Sequence, residues 1–441
     1  MSIINKCTNP ANSRKVLLLA AAIIIVSLIF TFVSGRGTDS SRTDVASKAA
    51  AVKHSKITFA TWGSPSDREI QKLVARKFTE LYGVDVDVFC FADTDGCMSK
   101  VITQFAAGDP FDVFYADGKA MYTLSNKGWL LDLSVLKSDR RLKEEEFYST
   151  AYKKGAYSDN KLYGLPTGIN PSVIYYNKKL FTDSGLSTPE EMYRKGNWDL
   201  ESFLNCCKKI YDAKKVYGMT VKSNWQTLFS TASSYGGKVL GFQKDGNPIV
   251  DEKAERALDM FRKGVSDGLL ICMSTLPKGV TEDEMFKSEQ TAMVYGGYEY
   301  ASAFKDVRDF EWDVVPFPSD GQGCRVSALS VPMIASAAFT QQKNEVFNFL
   351  LFYTGADGQK LRLEKGEKIL STLKYTVYLS SEEIMLPHSS NYYFFSLGEG
   401  FTENTSANYL ENKNTILSKF DRFCLGMLRE KEFFSLQAGD D

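Results

Sequence analysis

The feature that most constrains the fold is a strict alternation of strand and helix patterns that begins at Lys56. A short apolar strand, Lys56 to Trp62, ends in Gly63-Ser64-Pro65. The helix that follows has a capping box of Ser66 and Glu69 and is expected to stop at Gly83. The next segments predict a strand, a helix and a strand, at 84–90, 98–107 and 111–116. Such alternation predicts a mostly parallel sheet with helices on both faces.

The ends of these strands are the first places to look for a binding site. Ligands of open α/β sheets bind beyond the carboxyl ends of the strands. Two segments lie there, Thr61-Trp62-Gly63 after the first strand and Tyr115-Ala116-Asp117-Gly118 after the third. We therefore expect both to face the same cleft.

The chain, at 441 residues, is too long for a single core, since cores stop growing at about 250 to 300 residues. An extended stretch from Asn160 to Asn170 predicts a crossover to a second α/β lobe. Its expected strands lie at 172–176 and 291–295, and its amphipathic helices at 200–211 and 253–265. Further on, extended runs at 312–318 and 328–333 lead to an apolar helix ending near Tyr353, so the chain is expected to cross back there.

The N-terminus indicates export. Lys6, Arg14 and Lys15 precede an apolar run from Val16 to Val33, so whatever follows is expected outside the cytoplasm. The run is long enough to serve either as a cleaved signal peptide or as an uncleaved membrane anchor. We assign 1–35 to this segment and 36–55, which is rich in Ser, Ala, Thr and charge, to a flexible tether.

Charge and cysteine content exclude several classes of function. The chain has 53 Lys and Arg against 54 Asp and Glu, so it lacks the positive field that drives binding to nucleic acid. Eight cysteines form no C-x-x-C pair and no zinc framework. Cys90 and Cys97 are close enough to bridge, but buried free thiols are the preferred interpretation. No cofactor or metal site is predicted.

Several segments, in their order and spacing, resemble the family 1 extracellular solute-binding proteins, the sugar-binding components of bacterial ABC importers. The segments are Ile57 to Trp62, Phe111 to Asp117, Lys161 to Pro166, Tyr175 to Lys178, Gly196 to Asp199, Phe286 to Met293, Gly296 to Tyr298 and Trp312 to Pro318. Two departures are Ser288, where similar proteins often have Gly, and the missing lipid-attachment Cys after the apolar run. The second departure leaves the mode of membrane retention open.

The resemblance implies a type II periplasmic-binding-protein fold, in which two α/β lobes joined by hinge crossovers close around a ligand. The crossovers are expected near 167–170, 314–318 and 371–375. Lobe 1 would comprise 56–168 with about 317–372, and lobe 2 would comprise 169–316 with about 373–441. The implied partners are a small-molecule ligand, expected to be a carbohydrate, and the membrane permease subunits of an importer. The protein is expected to act as a monomer.

A sugar site needs flat aromatic platforms and planar polar groups for the hydroxyls. Trp198 and Trp312 are excluded as candidates, because packing in the core explains their positions. Each candidate also has a purely structural explanation: a ring capping the sheet, a helix cap, turn geometry, a partly covered surface ring or an exposed turn residue. The predicted ligand-binding residues are Trp62, Tyr115, Asp117, Asn170, Trp225 and Tyr298.

An exported carbohydrate-active hydrolase is the main alternative, since it would also bind sugar and would use two carboxylates. No acid/base motif, nucleophile elbow or phosphate loop is present. His54 and His388 lie far apart in tether and loop and support no catalytic cluster. We therefore predict no catalytic residue. A binding protein that serves a signalling receptor is a further alternative.

Overall fold

A computed structural model describes residues 55–158, 161–320, 327–376, 389, 391–404 and 406–436. The apolar run from Val16 to Val33 and residues 36–54 of the predicted tether lie outside these residues, as does His388. Ser55, which was assigned to the tether, is the first residue of the first strand. Among the helices of the described part, none has the length and apolar character needed to cross a membrane.

The first lobe is built on a five-stranded sheet in which Val113–Ala116, Met333–Ser336 and Gly164–Pro166 are fully buried and Val84–Phe91 is a largely half-buried or exposed edge. Its strands, in spatial order, are Val84–Phe91, Ser55–Trp62, Val113–Ala116, Met333–Ser336 and Gly164–Pro166. The first three run parallel, and Met333–Ser336 runs antiparallel to both of its neighbours. Its helices are Pro65–Tyr82, Thr94–Ala107, Gly118–Asn126, Ser149–Ala156, Lys343–Thr354 and Ala356–Glu364.

The second lobe repeats this architecture with a different strand order. Its sheet runs Leu270–Cys272, Tyr217–Val221, Thr291–Gly296, Val173–Asn177 and Trp312–Val315. A smaller sheet joins Val239–Phe242, Pro248–Val250 and Ser435–Leu436. The helices are Lys178–Asp183, Pro189–Arg194, Leu200–Lys214, Trp225–Ser233, Glu252–Ser266, Glu282–Lys287, Glu299–Phe304, Ala407–Cys424 and Glu430–Phe433.

A three-stranded hinge sheet lies where the chain passes between the lobes. Its strands are Phe401–Thr402, Ala328–Ser330 and Asn170–Pro171. The predicted extended run at 328–333 is in fact two strands in different sheets, because Val331-Pro332 interrupts it: Ala328–Ser330 belongs to the hinge and Met333–Ser336 to the first lobe. The helix Asn391–Glu399 directly precedes the hinge strand Phe401–Thr402 in sequence. The lobe boundaries given above from the sequence remain a prediction.

Local signals explain where the first helix begins and ends. Its N-cap is Ser64, whose hydroxyl accepts a hydrogen bond from the Asp67 amide, so the predicted cap at Ser66 is wrong by two residues. The reason is Pro65, which takes the first helical position, where its missing N–H costs nothing. Gly83 ends the helix with φ 66°, as predicted.

The cores contain most of the aromatic side chains. Phe59, Phe114 and Phe349 are fully buried in the first lobe, and Trp198 and Phe261 are buried in the second. Trp198 donates its indole N–H to the Pro316 carbonyl at 2.9 Å, which confirms its assignment to packing. The six described cysteines carry free thiols, and all except Cys90 are buried.

Candidate functional site

A cavity of about 580 Å³ lies between the two lobes, within the range of about 300 to 1,000 Å³ typical of small-molecule sites. The first lobe contributes the end of the Ser55–Trp62 strand, the start of the Thr94–Ala107 helix and the start of the Gly118–Asn126 helix. The opposite wall comes from Trp225, from Leu329 and Ser330 of the hinge strand, and from Thr402, Glu403 and Lys413. The expected cleft at the carboxyl ends of the strands is therefore present.

Trp62 lies on the first-lobe wall, at the last position of its strand. The turn that follows depends on Gly63, whose φ of 146° is one that other residues rarely adopt. The Trp62 ring is partly exposed and meets the Tyr115 ring edge-on at 5.0 Å. Trp62 thus offers an aromatic surface to the cavity.

Tyr115 was predicted to contact ligand, but it does not line the cavity. Its side chain is 5% exposed, and its hydroxyl is hydrogen-bonded to the hydroxyl of Tyr353. Residues of a buried strand alternate between the two faces of the sheet, so a position next to the cavity in sequence need not point into it. Tyr115 supports Trp62 from the core side.

Asp117 both caps a helix and lines the cavity. Its Oδ1 accepts a hydrogen bond from the Ala120 amide at 2.8 Å, which satisfies one of the free N–H groups of the Gly118–Asn126 helix. The two interpretations considered for this residue are therefore compatible, since a carboxylate has acceptor sites to spare.

Trp225 supplies the aromatic surface of the opposite wall. It is the first residue of the Trp225–Ser233 helix, which Asn224 caps by accepting from the Thr227 amide at 2.9 Å. The residue as a whole is 7% exposed, and its ring meets the Phe401 ring edge-on, with centroids 6.3 Å apart. The cavity thus lies between Trp62 on one lobe and Trp225 on the other.

A charged pair in the same wall was missed by the sequence analysis. Lys413 forms an ion pair with Glu403, with Nζ 2.8 Å from Oε1, and both side chains are mostly buried. The Tyr409 hydroxyl donates to the same oxygen at 2.8 Å. Burial raises the pKa of the Glu403 carboxyl. The positive charge of Lys413 and the hydrogen bond from Tyr409 oppose that shift. No sequence signal identified Glu403, because Phe401–Thr402 is too short to show a strand period.

Asn170 and Tyr298 are brought together, but outside the cavity lining. The Asn170 side chain accepts from the Tyr298 amide at 2.6 Å and donates to Glu299 Oε2 at 2.7 Å. Gly297 allows this approach, because a Cβ there would lie 2.5 Å from Asn170 Nδ2. We call Asn170, Gly297, Tyr298 and Glu299 the hinge clamp. The close approach that Gly297 permits is therefore made by the hinge strand.

The Tyr298 ring is fully buried, so its predicted role as a stacking platform does not fit the structure. It packs edge-on against Tyr393, with ring centroids 5.4 Å apart. Tyr393 donates its hydroxyl to Tyr175, and Tyr175 donates to the Gly297 carbonyl at 2.6 Å. Burial raises the pKa of all three tyrosines. The cluster is core that holds the clamp in place.

Within the described residues, no group of three or more His, Cys, Asp or Glu side chains gathers in a way that could hold a metal ion. The polar groups of the cavity are carboxylates, one ammonium and hydroxyls. They can donate and accept hydrogen bonds with a polar ligand.

Comparisons with known proteins agree with this architecture. The sequence profile described as bacterial extracellular solute-binding protein matches residues 62–360. The chain is 25% identical over 271 residues to the galactooligosaccharide-binding protein of Bacillus subtilis, a match that spans 60% of this chain and only 61% of that protein. It is 22% identical over 315 residues to the maltooligosaccharide ABC transporter solute-binding lipoprotein of Streptococcus pneumoniae strain TIGR4, covering 67% of this chain and 68% of that one.

A solved structure shares the fold. The ABC substrate-binding protein of Listeria monocytogenes, in complex with cycloalternan, superimposes with a TM-score of 0.71 at 21% identity. The superposition covers 86% of this chain and 95% of that one. At this level of identity the likeness establishes the two-lobed fold.

Proposed function

Because the chain belongs to the bacterial extracellular solute-binding proteins, we propose that it captures a carbohydrate between its lobes and delivers it to the permease of an ABC importer. The observation that carries the proposal is the pair of tryptophans, Trp62 and Trp225, on opposite walls of one cavity. The family is extracellular, which agrees with the basic and apolar N-terminal segment.

The chemistry of the cavity suits a sugar. A pyranose has apolar C–H faces, which pack on indole rings, and a rim of hydroxyls. Asp117 and Glu403 supply acceptors for those hydroxyls, and Lys413 supplies donors. Hydrogen bonds to charged groups are stronger than those between neutral groups, so a few of them are enough to orient the ligand.

The relatives support both the ligand class and the transport role. One binds galactooligosaccharides and another serves a maltooligosaccharide ABC transporter. These relatives are binding proteins and not enzymes. We propose the same here: Asp117 is engaged as a helix cap and Glu403 is paired with Lys413, so neither carboxylate is arranged as a free catalytic acid.

Calorimetry on the purified full chain, with galactooligosaccharides and maltooligosaccharides, tests the proposal. We expect stoichiometric binding, and chromatography of the recovered sugar should show it unchanged. Trp62→Ala should weaken binding by about tenfold or more, since a central aromatic anchor is worth about 2 kcal/mol. Trp129→Ala is the matched control, because that indole lies in the same lobe, stacked on Phe105 away from the cavity, and its loss should leave affinity unchanged.

Two results would overturn the proposal. Release of shorter sugars at a catalytic rate would make the chain a hydrolase, and absence of binding to both sugar series would remove the carbohydrate ligand. Sugar uptake by cells that lack the gene separates transport from signalling. We expect uptake to fall, whereas a receptor-coupled binding protein would leave it unchanged.

A further inference from the structure

The charges that line the cavity are unbalanced. Asp95, Asp117 and Glu403 are carboxylates, and Lys413 is the only cation among the lining residues that the structure describes. Lys413 already forms an ion pair with Glu403, with Nζ 2.8 Å from Oε1. The first-lobe wall therefore carries negative charge without a compensating side-chain cation in the lining.

Helix termini reduce this imbalance without reversing it. Three helices begin at the cavity, Thr94–Ala107, Gly118–Asn126 and Trp225–Ser233, and each N-terminus carries roughly half a positive charge. Asp93, which caps the first of them by accepting from the Gly96 amide at 2.7 Å, adds a further carboxylate beside the lining. Asp93 and Asp95 are exposed, so solvent screens their charges, but with Asp117 and Glu403 they still exceed one lining ammonium and three half-charged helix ends. We therefore expect a negative potential in the cavity.

The two lobes bring like charges towards each other. Asp117 belongs to the first lobe, whereas Glu403 is held by Lys413 and Tyr409 from the Ala407–Cys424 helix of the second. Burial raises the pKa of Glu403, and the negative charge of Asp117 raises it further. The two carboxylates are therefore close enough to repel each other. A ligand between the lobes must therefore supply donors or positive charge to offset this repulsion.

We propose that the cavity selects by ligand charge: it accepts neutral saccharides, favours those with a protonated amino group and excludes those with acidic groups. The inference rests on the carbohydrate-binding function proposed above. It assigns the discrimination to two partly buried carboxylates, Asp117 and Glu403. An acidic sugar would face both of them, and the one lining cation, Lys413, is already paired with Glu403.

The test uses matched sugars and the purified full chain. Maltotriose and galactotriose are each compared with the same trisaccharide bearing an amino group or a uronic acid carboxylate, by calorimetry at neutral pH, where Glu403 is the more fully ionised, and at low salt. We expect acidic members to bind at least about tenfold more weakly than neutral ones, and amino members to bind more tightly. Equal or tighter binding of the acidic members overturns the charge selection while leaving the proposed function intact. Failure of every member to bind counts against the proposed function itself.

Glu403→Gln separates charge selection from a structural effect. The amide keeps the shape and an acceptor but removes the charge, so the preference for amino over acidic members should shrink by about tenfold. A purely structural role would weaken all members alike and leave the ratio unchanged, which would overturn the role of Glu403. Glu364→Gln, at an exposed carboxylate paired with Lys360, should change neither the ratio nor the affinity.

Discussion

The cavity and the hinge clamp are built from the same kinds of residues, yet only one of them is open to a ligand. Both use an aromatic residue and a polar residue at or next to the terminus of a strand: Trp62 and Asp117 in one region, Tyr298 and Asn170 in the other. Trp62 faces about 580 Å³ of open space, whereas the Tyr298 ring has no exposed surface. The difference lies in the neighbours, because Tyr393 and the hinge strand occupy the space beside Tyr298.

This comparison shows what a strand-to-helix turn does and does not predict. The turn brings a residue to the ligand-binding edge of the sheet, but later segments decide whether the edge stays open. At the clamp, the Asn170–Pro171 strand covers the edge. At the cavity, Thr402, Glu403 and Lys413 lie opposite the edge and leave a gap.

The largest effect is expected at Tyr298. Tyr298→Ala should lower the free energy of unfolding by about 3 to 5 kcal/mol, since it empties a fully buried aromatic site. Denaturant titration measures this loss, and sugar affinity below the unfolding transition should change little. Tyr375→Ala, at a residue that is 79% exposed, is the control and should be neutral. If Tyr298→Ala instead abolished binding in a stably folded protein, the division between clamp and cavity would be wrong.

Asn170→Asp is expected to have the next largest effect, a loss of about 2 kcal/mol at neutral pH. The new carboxylate would face Glu299 Oε2, to which the Asn170 amide donates at 2.7 Å, so a hydrogen bond becomes a repulsion. The double variant Asn170→Asp, Glu299→Gln restores a donor and should recover much of the loss in the same denaturant titration. Failure of the double variant to recover would show that this hydrogen bond is not what stabilises the clamp.

Gly297→Ala should cost about 1 kcal/mol or somewhat more, because the clamp must move to accept a methyl group. The added Cβ would lie 2.4 Å from Glu299 Oε2 and 2.6 Å from Asn170 Oδ1. Gly241→Ala is the matched control, since the nearest atom there is Ile249 Cδ1 at 4.0 Å. Equal melting temperatures for the two variants would mean that the clamp is loose enough to adapt.

The sequence predicted the two-lobed fold because strand and helix periods are local. The strand ends at Trp62 and Asp117 follow from those periods, whereas the helix that begins at Trp225 was not predicted. What could not be predicted was the direction of Tyr115, the cover over Tyr298, and the approach of Glu403 and Lys413. Each of these depends on packing between segments far apart in the chain, for which a single sequence carries no signal.

The smallest effect is expected from acid, and it again separates cavity from clamp. Burial raises the pKa of Glu403, so the folded protein holds this proton more tightly than the unfolded chain does. Its contribution to folding stability is therefore fully present in acid and declines as pH rises through the raised pKa.

Sugar affinity should change in the opposite direction, because the ionised carboxylate is the better acceptor. Acid should therefore weaken binding through a midpoint above the usual glutamate range. Calorimetry across that range measures the affinity. Glu403→Gln should flatten the profile, whereas Asn170→Ser, a change at the clamp, should leave its midpoint in place. A midpoint unmoved by Glu403→Gln would assign the titration to another group.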